Sequence, residues 1–343
     1  MTKFLGVEWV DFKSIPFERR LQMGAVVLHL LNFLLFPTLL TIFVFYLFFT
    51  DYWWMPSSYF IWMIWDNFVR PASSRGGRKS HWLRSSVYFR YFRDYFPINL
   101  IKTCDLDPKH NYLMGYHPHG ILSCGAIVNF CSEATGFSEK FKGINPHLVT
   151  LEANFRVPIF RGYALWCGLC DSSKESINYI LNRQGTGNAV AIVIGGAAEA
   201  LEAHPGNYNL TLKNRKGFVK LAIRAGAHLV PVFSFGENDL WEQADNPMGS
   251  ALRSFQEKFK KILGFSPPLF YGRGVTNYTF GFIPYRKPVN TIVGKPIPVE
   301  KTANPTQEMI DSIHQKYMDS LSILFDEHKV NYGVDKDTKL NFV

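Results

Sequence analysis

The sequence YLMGYHPHG, from Tyr112 to Gly120, indicates how this chain folds and where its chemistry lies. Its first five residues are an apolar run typical of a buried strand, and the Pro and Gly that follow force a sharp turn at the strand's carboxyl end. In open α/β sheets, ligands bind at that end of the strands. The turn also holds His117 and His119, whose imidazoles are suited to take a proton near neutral pH. For an isolated pair, a strand end with two exposed histidines is the better interpretation, so the rest of the chain decides.

The composition favours a membrane surface or an anionic ligand over nucleic acid. The 343 residues carry a net charge of +9, and 16% of them are aromatic. Lys and Arg do not cluster tightly, and no zinc-finger or RNA-binding pattern is present, so we expect no nucleic-acid partner. The number of cysteines, five, is odd, and a single C-x-x-C pair at Cys167 and Cys170 has no second pair. This pattern favours packing in a reducing compartment, and we expect no metal site.

Two uncharged stretches near the amino terminus predict a membrane-embedded helical hairpin. Residues 21–50 contain no Asp, Glu, Lys or Arg, Asp51 interrupts, and residues 52–65 are again uncharged. A bilayer core needs about 20 apolar residues for each helical crossing, so the segment is long enough to cross once or, if it bends, twice. Basic residues on both sides favour a hairpin with both ends in the cytosol. The alternative is a buried helical hairpin of a soluble domain.

From residue 110 onward, short apolar runs alternate with helical patterns, which predicts an α/β fold with a largely parallel sheet flanked by helices. The predicted strands are Tyr112–Tyr116, His147–Leu151, Asn188–Ile194, Ala227–Phe235 and Thr291–Gly294. The predicted helices are Ile121–Thr135, Ser172–Arg183, Gly217–Ala225, Gly249–Leu263 and Thr306–His328. Pro231, inside one predicted strand, indicates an edge or irregular position. We expect a membrane hairpin in residues 1–66, a cytosol-facing body in 67–330 and a surface tail in 331–343.

Three further motifs lie at predicted strand ends or open a helix. Two glycines that precede a glutamate let a ligand approach the backbone closely. A basic cluster at a helix start is typical of anion binding, and a second glutamate follows a strand that ends in glycine. These residues are Gly195, Gly196, Glu199, Arg215, Lys216, Lys220 and Glu237. Each motif is weak alone, but together they place two carboxylates and a basic cluster at the sheet edge that holds the histidines.

In this order, the motifs resemble those of the diacylglycerol acyltransferase 2 family, which includes the monoacylglycerol and wax-alcohol acyltransferases. The resemblance covers nearly the whole chain and rests on the hairpin and on six motifs, among which HPHG is the most specific. The motifs are YFP at 95–97, HPHG at 117–120, GGAAE at 195–199, RKGF at 215–218, LVPV at 229–232 and FGEN at 235–238. The resemblance implies an enzyme at the cytosolic face of the endoplasmic reticulum membrane, with lipid droplets as a second location.

The resemblance also implies acyl transfer from acyl-CoA to a free hydroxyl, with His119 as the general base. Related glycerolipid acyltransferases carry an Asp five residues after this His, where the present chain has Cys124. We therefore expect Glu199 or Glu237, supported by His117, to hold the imidazole. A neutral acceptor is implied, because the phosphate-binding Arg of those relatives is missing from the GGAAE motif. Diacylglycerol is favoured, with 2-monoacylglycerol close behind and a long-chain alcohol as a further alternative.

The remaining roles are assigned by the same resemblance. Arg215, Lys216 and Lys220 are expected to bind the CoA phosphates. Backbone N–H groups near Gly120, Gly195 and Gly196 are expected to stabilise the oxyanion. Acyl-CoA is a co-substrate, so no cofactor is expected, and a homo-oligomer is left open. A non-catalytic lipid-droplet protein would need only the hairpin, and a serine hydrolase is disfavoured because no G-x-S-x-G motif is present.

Overall fold

A mixed sheet of seven strands forms the centre of the molecule. The computed structural model describes residues 2–4, 7–263 and 266–343. In chain order the strands are β1 (Ile98–Lys102), β2 (Tyr112–His117), β3 (Asn145–Thr150), β4 (Cys170–Asp171), β5 (Asn188–Val193), β6 (His228–Phe235) and β7 (Val289–Val293). Their order across the sheet is β1-β7-β6-β2-β5-β3-β4. Strands β2 to β6 run parallel, whereas β1 and β7 run parallel to each other and antiparallel to β6.

Helices cover both faces of this sheet. They are α1 (Phe17–Leu30), α2 (Phe36–Leu47), α3 (Trp54–Val69), α4 (His81–Arg84), α5 (Val87–Tyr95), α6 (Cys124–Cys131), α7 (Phe137–Lys140), α8 (Phe160–Cys167), α9 (Lys174–Arg183), α10 (Gly196–Ala200), α11 (Gly217–Ala225), α12 (Ala251–Leu263) and α13 (Gln307–His328). One core lies between the sheet and α1, α5 and α6, and the other lies between the sheet and α9, α11 and α13. The predicted α/β class, with a largely parallel sheet flanked by helices, is confirmed.

Side-chain alternation along β2 divides these two cores. Tyr112, Met114 and Tyr116 face the core that contains α5 and α6, whereas Leu113 faces the core that contains α13. All six residues of β2 are buried, as expected for a central parallel strand covered on both faces. The carboxyl end of β2 therefore emerges from the middle of the sheet, with helices on either side of it.

The prediction that Pro231 marks an edge or irregular position is wrong. Pro231 lies in β6, between β2 and β7, opposite Gly115 of β2. Its carbonyl accepts a hydrogen bond of 2.9 Å from Gly294, the first residue after β7 ends. The N–H that proline lacks would point to the same side, where the β7 ladder has already ended at Val293. A central strand thus tolerates the proline because its neighbour is short.

The amino-terminal residues form the expected helical hairpin. A π-helical turn, Leu31–Leu35, joins α1 and α2 into one helix, Phe17–Leu47, which is long and apolar enough to cross a membrane by length and composition. After a turn, α3 returns alongside α2, and the Phe60 ring lies 6.1 Å from that of Phe45. Many large apolar side chains on α2 and α3 are exposed in the isolated chain.

The hairpin is fixed to the body at two places. Helix α1 packs on α5, and near the end of α1 the His29 ring lies 4.6 Å from that of Phe92. At the end of α3, the buried Asp66 carboxylate binds the buried Arg161 guanidinium at 2.7 Å and also binds Arg78.

At the other end of the chain, Asn341–Phe342 pairs with Asn209–Leu210, so the tail is docked on the body. The limits set at residues 66 and 330 stay predictions.

Candidate active site

The HPHG turn leaves the carboxyl end of β2 and carries its two histidines into different surroundings. His117 is the last residue of β2 and is fully buried, whereas His119 is half-buried. Gly120 has a φ of 61°, and a Cβ there would come within 2.7 Å of Glu237 Cγ. Ser123, with a φ of 51°, donates a hydrogen bond of 2.8 Å to the His119 carbonyl. The turn is therefore closed on itself just before α6 begins.

The His119 ring is oriented by a backbone carbonyl. Its Nδ1 lies 2.8 Å from the Gly120 carbonyl oxygen. A carbonyl only accepts hydrogen bonds, so Nδ1 carries the proton and Nε2 carries the lone pair of the neutral ring. Burial lowers the pKa of His119 below its usual 6.5, and the hydrogen bond to Gly120 partly offsets this. Within the described part of the chain, Nε2 has no hydrogen-bond partner, so the ring is ready to accept a proton there.

The expectation that Glu199 holds this imidazole is wrong in the structure, because Glu199 binds the backbone of the turn instead. Its Oε1 accepts a hydrogen bond of 2.6 Å from the His119 N–H, and its Oε2 accepts one of 2.9 Å from the Thr211 N–H. A Cβ at Gly195 would overlap this carboxylate, which explains the glycine before α10. Burial raises the pKa of Glu199 to about 7, and the two N–H donors and the nearby Arg215 charge oppose that rise. Glu199 thus connects the turn to the segment that carries Thr211.

Glu237 does not reach the imidazole either and lies on the opposite side of the turn. Its Oε2 accepts hydrogen bonds from the Tyr116 hydroxyl at 2.8 Å and from the Gly125 N–H at 3.0 Å. A Cβ at Gly125 would overlap the Tyr116 hydroxyl and approach Glu237 Oε2 to 2.6 Å. Burial raises the pKa of Glu237 to about 7. This carboxyl therefore links β2, the start of α6 and the turn after β6 inside the core.

His117 is held from within the core by Tyr317 of α13. Its Nε2 lies 3.1 Å from the Tyr317 hydroxyl, which donates at 3.1 Å to the Gly115 carbonyl. A Cβ at Gly115 would overlap this hydroxyl, so the strand needs glycine there. Burial lowers the pKa of His117 to about 3, so the ring is neutral and donates to Tyr317 from Nε2. His117 consequently supports the turn from within the core and does not face solvent.

The basic cluster begins α11 and is largely exposed. Arg215 and Lys220 are exposed, and Arg215 lies close enough to Glu199 to favour its charged form. The Lys216 ammonium forms an ion pair of 2.7 Å with Asp311 of α13, which lowers the pKa of that carboxyl. The structure thus brings Arg215 towards the turn, while Lys216 is partly engaged elsewhere. Across the described ranges, no group of three or more His, Cys, Asp and Glu residues has the arrangement of a metal site.

Sequence reasoning missed the residues that support the turn from inside the sheet. Tyr317 is one of several apolar and aromatic positions on α13, and its helical spacing marks it only as a core residue. Gly115 and Gly125 are single glycines in apolar runs, and a glycine inside a predicted strand is itself a signal of close approach by another group. That signal was available at Gly115 and indicates an intruding side chain there.

The comparisons with known proteins establish the family of this chain. The family model described as diacylglycerol acyltransferase matches residues 45–343. The chain belongs to the diacylglycerol acyltransferase family. As a member of it, the chain is an acyltransferase of glycerolipid synthesis.

Two relatives indicate the range of activities within the family. The 2-acylglycerol O-acyltransferase 1 of Bos taurus is 50% identical over 329 residues, which cover 96% of this chain and 97% of that protein. The diacylglycerol O-acyltransferase 2 of Homo sapiens is 46% identical over 330 residues, which cover 96% of this chain and 84% of that protein. Among solved structures, a 1-acyl-sn-glycerophosphate acyltransferase from Thermotoga maritima aligns over 86% of this chain and 95% of that one, at 12% identity and a TM-score of 0.38.

Proposed function

We propose that this acyltransferase esterifies diacylglycerol to triacylglycerol with acyl-CoA as the donor and His119 as the general base. The observation that carries the proposal is the state of the His119 ring. Its Nδ1–H is held by the Gly120 carbonyl, which leaves the Nε2 lone pair without a partner among the described residues. A neutral imidazole with one fixed and one available nitrogen is the arrangement that general-base catalysis requires.

In the proposed reaction, His119 Nε2 takes the proton of the acceptor hydroxyl as that oxygen attacks the thioester carbonyl. The tetrahedral intermediate carries a negative oxygen, which the backbone N–H groups near Gly120, Gly195 and Gly196 are proposed to stabilise. When the intermediate collapses, the carbon–sulfur bond breaks and CoA leaves as a thiolate. The imidazolium then returns its proton to solvent or to the thiolate. No covalent acyl-enzyme is needed, because the thiolate is already a good leaving group.

The basic residues at the start of α11 support the proposed donor. Arg215 and Lys220 are exposed near the start of α11. Lys216 forms an ion pair with Asp311, but the side chains of both residues stay partly exposed. Guanidinium and ammonium groups bind phosphates strongly, and CoA carries several. We assign the CoA phosphates to these three residues.

The relatives support a second candidate acceptor, 2-monoacylglycerol. The bovine 2-acylglycerol O-acyltransferase 1 shares 50% of aligned residues with this chain, against 46% for the human diacylglycerol O-acyltransferase 2. Both acceptors present a hydroxyl on a neutral glyceride, so the proposed chemistry at His119 is the same for each. They differ in the number of acyl chains that the site has to hold.

The apolar hairpin supports a membrane location. Both acceptors dissolve in a bilayer, and the helix Phe17–Leu47 meets the length and composition of a membrane segment. We propose that the hairpin anchors the enzyme in the endoplasmic reticulum membrane with its body on the cytosolic side, and that the enzyme also reaches lipid droplets.

One assay tests the reaction and the acceptor together. The purified full-length protein is given labelled acyl-CoA with diacylglycerol, 2-monoacylglycerol or a long-chain alcohol, and the products are separated. We expect triacylglycerol as the main product, and mainly diacylglycerol would favour the second candidate. His119→Ala is expected to reduce turnover by about 10²- to 10⁴-fold while membrane association is retained. His110→Ala, which changes a histidine at the opposite edge of the sheet, is the control. Turnover of His119→Ala equal to that of the control would remove His119 from the mechanism.

A further inference from the structure

The segment between α12 and β7 exposes a group of large aromatic side chains. Phe282 is 70% exposed and Tyr278 is 55% exposed, and Tyr271 and Phe280 are also exposed. The segment folds back on itself, since Arg273 and Ile283 pair through backbone hydrogen bonds of 2.7 and 3.0 Å. Single exposed apolar residues are ordinary, but a contiguous exposed apolar group marks an interaction surface.

This group adjoins the start of the apolar helix. The Val10 N–H donates at 2.8 Å to the Thr276 carbonyl, and the Trp9 ring lies 6.2 Å from the Phe280 ring, edge to face. Phe12 and Phe17, on either side of the point where α1 begins, are exposed as well. We call these six residues the aromatic surface: Phe12, Phe17, Tyr271, Tyr278, Phe280 and Phe282.

Basic side chains accompany the aromatic surface. The Arg20 guanidinium lies 5.5 Å from the Phe12 ring and 5.6 Å from the Phe17 ring. The guanidinium of Arg273, which is itself buried beneath the surface, lies 4.4 Å from the Tyr278 ring. Lys13, Arg19 and Lys287 are also exposed, against the acids Asp11, Glu18 and Glu242, of which Glu242 pairs with Tyr271. Aromatic rings mixed with an excess of Arg and Lys are typical of the boundary between lipid headgroups and acyl chains, and positive charge favours anionic lipid.

The aromatic surface lies at the same edge of the sheet as His119. Asn290, at the start of β7, pairs with Phe235, at the end of β6, and Phe233 pairs with His117. Because β7 runs antiparallel to β2, the amino end of β7 and the carboxyl end of β2 share one edge. Four of the six residues of the aromatic surface lie on the segment that leads into the amino end of β7. The Phe282 carbonyl of that segment accepts a hydrogen bond of 3.0 Å from Trp241, which follows β6.

We propose that the aromatic surface is a second membrane contact, which lies in the headgroup region of an anionic bilayer beside the apolar helix. This inference rests on the proposed membrane function, and it deepens that function. With the helix and the aromatic surface both in contact with lipid, the edge of the sheet that carries His119 faces the bilayer, where the acceptor is dissolved.

Fluorescence quenching by lipids tests the proposal. The full-length protein, with Cys104 replaced by Ser, receives one cysteine by Phe282→Cys or Tyr278→Cys and is labelled there with an environment-sensitive dye. It is reconstituted into vesicles of phosphatidylcholine and phosphatidylserine that contain lipid with a nitroxide at the headgroup boundary. Lys109→Cys labels an exposed site at the opposite edge of the sheet, and Phe49→Cys labels the tip of the hairpin. We expect several-fold stronger quenching at 282 and 278 than at 109, and weaker quenching at both when phosphatidylserine is omitted.

The two control labels separate the possible failures. Quenching at 49 but not at 278 or 282 would show an inserted hairpin with a solvent-exposed aromatic surface, and would overturn this inference alone. Loss of quenching at 49 as well would overturn the proposed membrane anchor. Shielding of position 282 in native membranes, but not in pure lipid, would overturn the inference in favour of a protein partner.

Discussion

Replacing Glu199 by Gln tests whether the buried carboxyl destabilises the folded protein when it is charged. Burial raises the pKa of Glu199 from 4.5 to about 7. Between these two values the folded protein holds a proton that the unfolded chain has lost, so the folded state loses stability as the pH rises. The difference between the folded and unfolded pKa, at about 1.4 kcal/mol for each pKa unit, corresponds to about 3 kcal/mol in the free energy of unfolding. This contribution is fully present below pH 4.5 and is lost once the pH exceeds about 7.

The glutamine side chain does not titrate, so Glu199→Gln does not lose this contribution as the pH rises. We therefore expect the free energy of unfolding of the variant, minus that of the unsubstituted protein, to increase by about 3 kcal/mol between pH 4.5 and pH 8. The measurement is urea unfolding in detergent micelles, followed by tryptophan fluorescence at several pH values. Glu175→Gln, which removes an exposed carboxyl on α9, is the matched control. A difference that does not change with pH would refute the burial argument.

At high pH, Glu199→Gln is expected to lower turnover even though it gains stability relative to the unsubstituted protein. The Glu199 carboxylate accepts N–H groups from both His119 and Thr211, whereas an amide offers one oxygen and turns its NH₂ towards the other donor. One buried N–H is then left unpaired, at about 1–3 kcal/mol, and the turn that carries the proposed base is less firmly held. We expect turnover to fall roughly tenfold or more at pH 8. Unchanged turnover would show that the turn does not depend on this carboxylate.

Three further substitutions test the groups that hold the site and the hairpin. Tyr317→Phe removes a hydroxyl with two buried partners, so we expect it to destabilise the protein by about 2–4 kcal/mol in urea unfolding and to lower turnover. The control is Tyr112→Phe, which removes one hydrogen bond at the far end of β2 and is expected to keep normal turnover. Gly125→Ala places a Cβ against two buried side chains, so we expect at least about 2 kcal/mol of destabilisation, and full thermal stability would show that those side chains can move. Asp66→Asn leaves the buried Arg161 without its charged partner and is expected to cost about 3–5 kcal/mol, measured by thermal unfolding. An unchanged melting temperature would contradict the burial of this ion pair.

The sheet was predictable where its strands are long, apolar and central. The runs at residues 112–116 and 188–194 predict β2 and β5 to within one residue, and the helix predicted over 217–225 is α11. Strand β1, at the sheet edge, was missed because it has only five residues, and the polar Asn99 and Lys102 leave no continuous apolar run. Strand β4 was missed because it has only two residues. Local patterns do not identify strands that exist only because a neighbour offers them an unpaired edge.

The site was predictable as a set of residues but not as a set of contacts. Strand ends marked by glycine place His119, Glu199 and Glu237 at one edge, and the structure brings them around one turn. The sequence could not indicate that Glu199 binds the backbone N–H of His119 rather than its imidazole. Both groups belong to the same residue, so no sequence spacing distinguishes them. The contact between His117 and Tyr317 joins residues 200 positions apart, so no local pattern contains it.

The choice of a carbonyl rather than a carboxylate to orient His119 has a chemical consequence. A carboxylate beside Nδ1 stabilises the imidazolium and raises its pKa, whereas the neutral Gly120 carbonyl does so much less, and burial lowers the pKa of His119 further. The ring is therefore neutral at physiological pH, but it is a weaker base than a histidine paired with an acid. A weak base suffices when the reaction does not depend on protonating the leaving group, and a thioester meets this condition because its thiolate departs unaided. Cys124→Asp would add a charge to a buried site. The present chain instead keeps Cys124 buried and leaves its acids to hold the backbone of the turn.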